Sequence, residues 1–275
     1  MIRWFQLLLG VCCAIALGFL ALPLATLFLR VPPADLFAAL GSGVALDALA
    51  VTLRTSLAAH VLILGIGTPA AYLLATRRFR GRGVIVSLVD LPLVLPPVVA
   101  GIALLSAFGR RGLLGDSLDV LGVAIPYTQL AVVLAITFVA SPFYLRQAIA
   151  AFEGVDRQLL DAARTLRASP GRVFVRIALP LAFRGLGAGS ALAFARGLGE
   201  FGATIIFAGS FRGTTQTLPL AIYAELGAGD LDVAISISVI LVVVSITVLV
   251  AVKRLPSWAP FISTSRYRDA PSTSG

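Results

Sequence analysis

The chain has 275 residues, of which 59% are hydrophobic and only 13% are charged, and its mean hydropathy is +0.98. A soluble globular domain carries about 25% charged residues, so this composition excludes an ordinary soluble protein and predicts an integral membrane protein. The net charge of +9 is better explained by arginines gathered in cytoplasmic loops than by nucleic-acid binding. Cys12 and Cys13 are adjacent within an apolar run, which predicts no disulfide framework, and a single histidine, His60, cannot supply a histidine-rich metal site.

Apolar runs long enough to cross a membrane, at roughly 20 residues each, recur along the chain. The first is too long for the apolar core of a signal peptide, so we expect it to be retained as a span. The third contains Pro96 and Pro97, which we expect to kink it. In chain order, the expected spans are Trp4–Leu29, Ser56–Ala75, Val84–Phe108, Gln129–Tyr144, Gly185–Ala208 and Val233–Val252. The expected fold class is all-α, a polytopic membrane protein with about six transmembrane helices.

The cations are distributed unevenly over the segments that connect these spans. With the N-terminus inside, the cytoplasmic segments hold sixteen of the 22 lysines and arginines, and the outer segments hold five. Positive charge collects on the cytoplasmic side of membrane proteins. Both chain ends are therefore predicted to be cytoplasmic, and the Ser- and Pro-rich residues 255–275 are predicted to be a disordered cytoplasmic tail.

An arginine-rich segment with helical periodicity separates the fourth and fifth spans. Asp156 is placed to cap a helix that begins near Arg157. Ser169 and Pro170 then predict a cap followed by a new helix, which Pro180 ends or kinks before the next span. The product is a helix–turn–helix on the cytoplasmic side. Local features support two interpretations equally: a surface for another protein, or an amphipathic hairpin that rests on lipid headgroups.

The same segment resembles the cytoplasmic coupling loop of permease subunits of bacterial ABC importers. That family has Glu-Ala-Ala, three residues, Gly, nine residues and then Ile-x-Leu-Pro. This chain has Asp161-Ala162-Ala163, three residues, Arg167, nine residues and then Ile177-Ala178-Leu179-Pro180. Asp161 in place of Glu is a mild change. Arg167 replaces a glycine, which adopts a left-handed backbone at little cost, so either Arg167 is strained or the turn differs.

The resemblance implies that the loop is a coupling helix seated in a cleft of a separate ATPase subunit. ATP and Mg would bind that subunit, leaving this chain without a cofactor or a metal. The implied partners are a second copy of the chain, an ATP-binding subunit dimer, an extracytoplasmic oxyanion-binding protein and the lipid bilayer, with no nucleic acid. The expected location is the plasma membrane of a bacterium or archaeon. The implied coupling residues are Asp161, Ala162, Ala163, Arg164, Leu166, Arg167, Ile177 and Pro180. Ala163 shares a face with Leu159 and Leu166, so we expect it to touch the ATPase.

The resemblance also divides the chain and narrows the substrate. Residues 1–45 correspond to a first helix and outer loop, and residues 46–254 to the permease core. The stretch Asp90–Gly101 is similar to oxyanion permeases for molybdate, tungstate and sulfate. The stretch Gly199–Thr204 is shared by molybdate and sulfate permeases, and Thr215–Tyr223 looks more like the molybdate branch. Molybdate or tungstate is the expected substrate, and sulfate or thiosulfate is the alternative.

Two opposite charges fall inside the expected fifth span. Arg196 and Glu200 are four residues apart, which places them on one helical face where each partly offsets the cost of the other in hydrocarbon, about 2.5–3.5 kcal/mol per lone charge. One interpretation is a structural ion pair; the other is that Arg196 lines the path of the anion. The candidates for the path and gate are Arg196, Glu200, Phe201, Thr204 and Thr217.

Other classes of protein are less well supported. The chain lacks the G-x-x-x-x-G-K-[ST] phosphate loop and the H-E-x-x-H and G-x-S-x-G motifs, so we expect a translocation subunit and not an enzyme. An ion-coupled secondary transporter would need intramembrane carboxylates to relay protons, and only Asp90 and Glu200 are candidates.

Overall fold

The computed structural model describes residues 2–32, 38, 41 and 43–254, and the predicted tail 255–275 lies outside them. Within the described residues the chain is helical and contains no β-strand. The first helices are α1 (Ile2–Arg30), α2 (Gly43–Thr76), α3 (Arg82–Val94), α4 (Pro97–Phe108), α5 (Gly115–Val120) and α6 (Gln129–Glu153). They are followed by α7 (Arg157–Thr165), α8 (Pro170–Val173), a π-helical turn (Phe174–Ala178), α9 (Leu179–Leu198), α10 (Gly202–Ala208), α11 (Leu218–Ala228) and α12 (Leu231–Arg254).

Five helical stretches of the described chain are long and apolar enough to cross a membrane, and a sixth results if α3 and α4 count as one broken span. The five are Trp4–Arg30, Gly43–Thr76, Gln129–Glu153, Pro170–Leu198 and Leu231–Ala251. The predicted all-α polytopic membrane fold is thus confirmed. The predicted domain boundary at residue 46 lies just inside α2, which begins at Gly43.

The expected third span is two helices. Leu95 and Pro96 have extended backbones, with ψ of 131° and 137°, and the axes of α3 and α4 differ by 117°. Proline disfavours a helical conformation in the residue before it, and two successive prolines therefore break the helix on both sides of Pro96. The expected kink is confirmed, and it is sharp. The 12 residues of α4 extend about 18 Å, less than the ~30 Å of a bilayer core.

The expected fifth span, Gly185–Ala208, is wrong at both ends. The helix begins at Pro170, continues through the π-helical turn and ends at Leu198, and α10 follows after a break at residues 199–201. Pro180 does not end the helix. In a regular helix its ring would clash with the carbonyl of Arg176 four residues earlier, but Arg176 lies in the wider π-helical turn, which moves that carbonyl out of register.

The long helix α6 is the centre of the bundle, with α2 and α9 packed along it. Glycines of α9 permit the close approach, because a Cβ at Gly185 or Gly189 would lie 2.4 or 2.8 Å from side chains of α6. Such contacts between small residues are typical of helix association in membranes. Helix α1 differs, since none of the residues in its most apolar stretch is buried within this chain. A helix that is apolar on all sides and uncovered belongs in lipid or against another subunit.

Two ends of the bundle matter below. Residues 154–178 connect α6 to α9 at one end, here called the hairpin end. Residues 109–128 connect α4 to α6 at the other, here called the far end. The 25 residues of α6 separate the two ends by about 37 Å.

Candidate coupling and translocation sites

The segment at the hairpin end folds as a helix, a turn and a second helix. The Asp156 carboxylate accepts a hydrogen bond of 2.9 Å from the N–H of Gln158, which confirms the expected cap of α7. The second helix begins at Pro170, with Ser169 at its N-cap position, as expected, although the Ser169 hydroxyl makes no capping bond. Asp161 bonds Arg164 at 2.8 Å on the exposed side of α7, a surface pair that contributes little stability.

Arg167 adopts the left-handed backbone that its position requires. Its φ is +59°, a region in which a residue with a Cβ is disfavoured by about 1–2 kcal/mol. The Arg167 N–H donates to the Arg164 carbonyl at 3.0 Å and the Ala168 N–H donates to the Ala163 carbonyl at 3.1 Å. These two bonds form a Schellman motif, in which glycine is the usual residue at the left-handed position. The turn is therefore that of a glycine, and Arg167 is strained within it.

The expected orientation of Ala163 is wrong. Ala163 and Leu160 are buried, at 9% and 4% exposure, in a core with Phe152 and Val173 of the same chain. The face directed away from the chain carries Leu166, which is 83% exposed, together with exposed Leu159 and Ala162. These three residues are spaced i, i+3 and i+7 and form one stripe, here called the outer stripe (Leu159, Ala162 and Leu166).

Arg196 and Glu200 are in contact, but they do not share a helix. Arg196 lies in the last turn of α9, whereas Glu200 lies in the break that follows. Arg196 donates to Glu200 Oε2 at 2.7 Å, and Glu200 Oε1 accepts the N–H of Ala203, in the first turn of α10, at 2.8 Å. The Glu200 side chain is 1% exposed and the Arg196 side chain 29%. Both carboxylate oxygens are thus used, one by the cation and one by the start of a helix, where negative charge is favourable.

Arg196 also lines a small cavity of about 140 Å³ at the broken span. The rest of its lining is apolar and comes from the two sides of the break and from α6: Pro92, Leu93, Leu95, Pro97, Ala100, Val139 and Phe143. On the neighbouring surface Gly202 is packed so closely that a Cβ would lie 2.4 Å from the Cβ of Pro97, while Gly199 faces open space. Close packing of small residues, which is typical of helix contacts in membranes, is thus present at Gly202 and absent at Gly199.

The other gate candidates fall into separate surroundings. The Phe201 ring lies 5.0 Å from the Tyr223 ring of α11. Thr204 and Thr217 are buried, at 0% and 3% exposure, and their hydroxyl groups have no hydrogen-bond partner in the described part of the chain. Buried hydroxyl groups are normally hydrogen-bonded, so these two are exceptions that have spare donor capacity.

Two ion pairs between α3 and α6 were not anticipated. Arg146 of α6 bonds both carboxylate oxygens of Asp90 in α3, at 2.5 and 2.7 Å, and Arg82 of α3 bonds Glu153 at the end of α6. The sequence signal for the first was Asp90 itself, because a lone carboxylate inside an apolar run requires a cationic partner. The two ion pairs connect α3 to α6 at Arg82 and at Asp90.

Helix α11 was also missed. Its 11 residues are too few for a span, but its signals are present: Thr217 at the N-cap position, Pro219 in the first turn, and Gly229 with φ of +89° at its end. The Leu218 N–H, near its start, donates at 2.8 Å to the hydroxyl of Thr52 in α2. This bond fixes α11 against the membrane core.

Known proteins match most of this chain. The family model described as "Binding-protein-dependent transport system inner membrane component" matches residues 67–256. The molybdenum transport system permease protein ModB of Mycobacterium tuberculosis is 46% identical over 209 residues, covering 75% of this chain and 78% of that protein. A probable molybdenum ABC transporter permease of Haloferax volcanii is 42% identical over 215 residues, covering 78% of this chain and 76% of that protein. A crystal structure of a bacterial alginate ABC transporter, in complex with an alginate-bound periplasmic protein, aligns with a TM-score of 0.74 at 16% identity, covering 91% of this chain and 93% of the matched one.

The long apolar helices of the described chain define a multi-pass membrane protein, and the structural match shows that its fold is that of a chain of an ABC transporter. The chain belongs to the family of inner membrane components of binding-protein-dependent transport systems, the permeases of ABC transporters.

Proposed function

We propose that this chain is the permease subunit of an ATP-driven importer that moves a tetrahedral oxyanion, molybdate or tungstate, into the cytoplasm. The observation that supports the choice of substrate is the 46% identity to a molybdenum permease over three quarters of the chain. Arg196, partly exposed at the break in the fifth span, supplies hydrogen-bond donors that fit an anion, and the buried hydroxyl groups of Thr204 and Thr217, elsewhere in the bundle, are further donors without a partner among the described residues.

The outer stripe is the proposed contact with the ATP-binding subunit. An 83% exposed leucine at the tip of a helix whose opposite face is fully packed is suited to insertion into an apolar cleft. ATP and Mg would bind that partner, and this chain would hold no cofactor. The complete importer would contain two copies of this chain, two ATP-binding subunits and an extracytoplasmic binding protein, with both ends of this chain in the cytoplasm.

The proposed gate combines the residues around the break in the fifth span. Arg196 and Glu200 form its fixed polar element, the Phe201 ring contacts the tilted Tyr223 ring beside it, and Thr204 and Thr217 are the candidate hydroxyl donors. The ion pair is primarily structural in this proposal, because Glu200 also caps α10. Arg196 retains guanidinium N–H groups beyond the one that Glu200 accepts, and these face the cavity at the broken span.

Two alternatives remain distinct from this proposal. A sulfate or thiosulfate permease would share the same fold and gate. An ion-coupled secondary transporter is disfavoured by the two intramembrane carboxylates considered for it, because Asp90 is paired with Arg146 and Glu200 with Arg196.

Reconstitution tests the proposal. Proteoliposomes containing the permease, its ATP-binding subunit and its binding protein should accumulate labelled molybdate only when hydrolysable ATP is present, and sulfate should compete weakly. A non-hydrolysable ATP analogue is the matched control. Uptake driven by a proton gradient without ATP would contradict an ABC importer, whereas ATP-dependent uptake that prefers sulfate would change only the substrate.

A further inference from the structure

A large cavity opens at the far end of the bundle. Its volume is about 680 Å³, within the range of small-molecule binding sites. The lining comes from the end of α4 and from the loop that leads to α6: Leu105, Ser106, Gly109, Arg110, Arg111, Gly112, Ala124, Pro126 and Tyr127. Two adjacent arginines thus face a concave space about 37 Å from the hairpin end, by the length of α6.

Three glycines allow the tight turns of the loop that lines this cavity. A Cβ at Gly109 would lie 2.3 Å from the Leu105 carbonyl oxygen, a Cβ at Gly112 would lie 2.5 Å from the Ser106 oxygen, and a Cβ at Gly115 would lie 2.3 Å from the Arg110 oxygen. None of these backbone oxygens can move aside as a flexible side chain can. The loop is therefore closed so tightly that only glycine fits at every third position, and it presents Arg110 and Arg111 from a fixed backbone.

The two arginines are not neutralised. Another outer arginine, Arg212, is paired with Asp47, but Arg110 and Arg111 pair with no carboxylate among the described residues. Asp116 and Asp119 lie in the same loop, on α5, and make no ion pair with them. In addition, the backbone N–H groups of Arg110 and Arg111 donate to no backbone carbonyl within the described chain.

Tyr127 completes the cavity from the opposite side. Its φ is +64° although it is not glycine, a strained conformation that is typically retained where a side chain must point in one direction. The ring lies edge-on to Phe211 at 6.1 Å, and the side chain is 56% exposed. Two guanidinium groups and the hydroxyl groups of Ser106 and Tyr127 line the cavity, and no carboxylate does; guanidinium and hydroxyl donors suit an oxyanion.

We propose that Arg110 and Arg111 form a receiving site for the tetrahedral oxyanion at the far end, where the anion first meets the permease. The inference rests on the proposed function, because it takes the far end as the extracytoplasmic one. Guanidinium groups bind oxyanions in a bidentate manner, and a cavity lined by charge of one sign raises the local concentration of the opposite ion.

A contact with an acidic protein surface is the competing explanation. The loop also exposes Leu113, Val120 and Leu121, at 88%, 88% and 73%, which would suit a protein contact. These side chains do not line the cavity. The arginines face a concave space and the apolar side chains lie outside it, so the observations favour a small anion within the cavity.

Protection from an arginine reagent tests the site directly. The purified full-length permease, in nanodiscs, is treated with phenylglyoxal in sodium sulfate, sodium molybdate or sodium chloride at matched ionic strength, and modification is quantified by peptide mass spectrometry. We expect either tetrahedral dianion to slow modification of Arg110 and Arg111 at least threefold relative to chloride. Arg54, an exposed arginine of α2 outside the cavity, is the internal control and should be unaffected. In Arg110→Gln, protection of Arg111 should fall.

Three results would overturn the proposal: no protection, equal protection of Arg54, or protection by the anion-free binding protein but by neither dianion. The last of these would identify a protein-docking surface. ATP-dependent uptake by the same preparation is measured in parallel. Uptake without protection rejects the site but leaves the proposed function intact, and protection without uptake rejects the function but leaves an anion site.

Discussion

At two positions in this protein, the local backbone conformation determines which residue is favourable. Arg167 occupies a left-handed turn, with φ of +59°, and Glu200 sits in a helix break that needs a hydrogen-bond acceptor. In both cases the identity of the neighbours is less important than the geometry of one residue. Substitutions at these two positions therefore separate local conformational effects from loss of contacts.

Arg167→Gly should stabilise the permease by about 1 kcal/mol. Glycine avoids the cost of a left-handed residue, and this gain exceeds the loss that comes from the greater conformational entropy of glycine in the unfolded chain. The midpoint of thermal unfolding in detergent should rise. Arg164→Gly is the matched control and should lower it, since Arg164 is helical and glycine costs about 1 kcal/mol within a helix. A lower midpoint for Arg167→Gly would show that the Arg167 side chain stabilises the turn.

Variants of Glu200 should follow an order set by its two hydrogen bonds. Glu200→Gln keeps an oxygen for the Ala203 N–H but leaves Arg196 without a counter-charge, at a cost of roughly 2 kcal/mol because Arg196 is partly exposed. Glu200→Leu loses both interactions and should be less stable still. Exchanging the charges, Arg196→Glu with Glu200→Arg, should fail to restore stability, because arginine cannot accept the helix N–H. Full recovery in thermal unfolding of the exchanged protein would show that the ion pair alone matters.

At the scale of elements, hydropathy and proline positions predicted most spans and the break in the third, but they missed α11, the break at residues 199–201 and the orientation of α7. The mean hydropathy does not mark residues 199–201, where the helix stops, because the glycines and Phe201 there are compatible with a membrane span. Helical periodicity predicted one apolar face on α7, with Ala163 beside Leu159 and Leu166, whereas the structure separates a buried face from an exposed one. Leu160 and Ala163 are inward because Phe152 and Val173, distant in the helical pattern, cover them, and no local feature encodes that contact.

The inward face of α7 leads to different outcomes for two added charges. Leu166→Glu should leave the amount of folded permease unchanged but abolish co-purification of the ATP-binding subunit, because it charges the outer stripe. Ala163→Glu should reduce the yield of folded permease, because a charge enters a packed core. Thr165→Glu, exposed on α7 beside the stripe, adds the same charge and should alter neither. Normal co-purification with Leu166→Glu, measured beside its fluorescence-detected elution profile, would remove the outer stripe as the contact.

The whole molecule has a charge asymmetry that predicts its orientation in the membrane. The hairpin end carries most of the arginines, and the sixteen-to-five distribution predicts that this end lies in the cytoplasm. The sequence was sufficient for this prediction because orientation depends on summed charge. It was insufficient for the far-end cavity, whose arginines are brought to one space by a loop closed through three glycines.

Thiol labelling in intact cells tests the orientation. In a background with Cys12 and Cys13 replaced by serine, cysteines at Arg80 and Arg172 should be shielded from an impermeant reagent, and a cysteine at Leu113 should react. All three positions are exposed and have ordinary backbone conformations. Labelling of Arg80→Cys or Arg172→Cys without disruption of the cells would contradict the proposed topology.

The carboxylate of Glu200 has a mechanical consequence. A break between two helices is ordinarily a hinge, at which one helix can swing while the other stays still. Here one side chain bridges the joint, holding the last turn of α9 through Arg196 and the first turn of α10 through Ala203. The two helices are therefore held together at the break. We expect that a displacement of α9 from the hairpin end moves α10 with it as one rigid body.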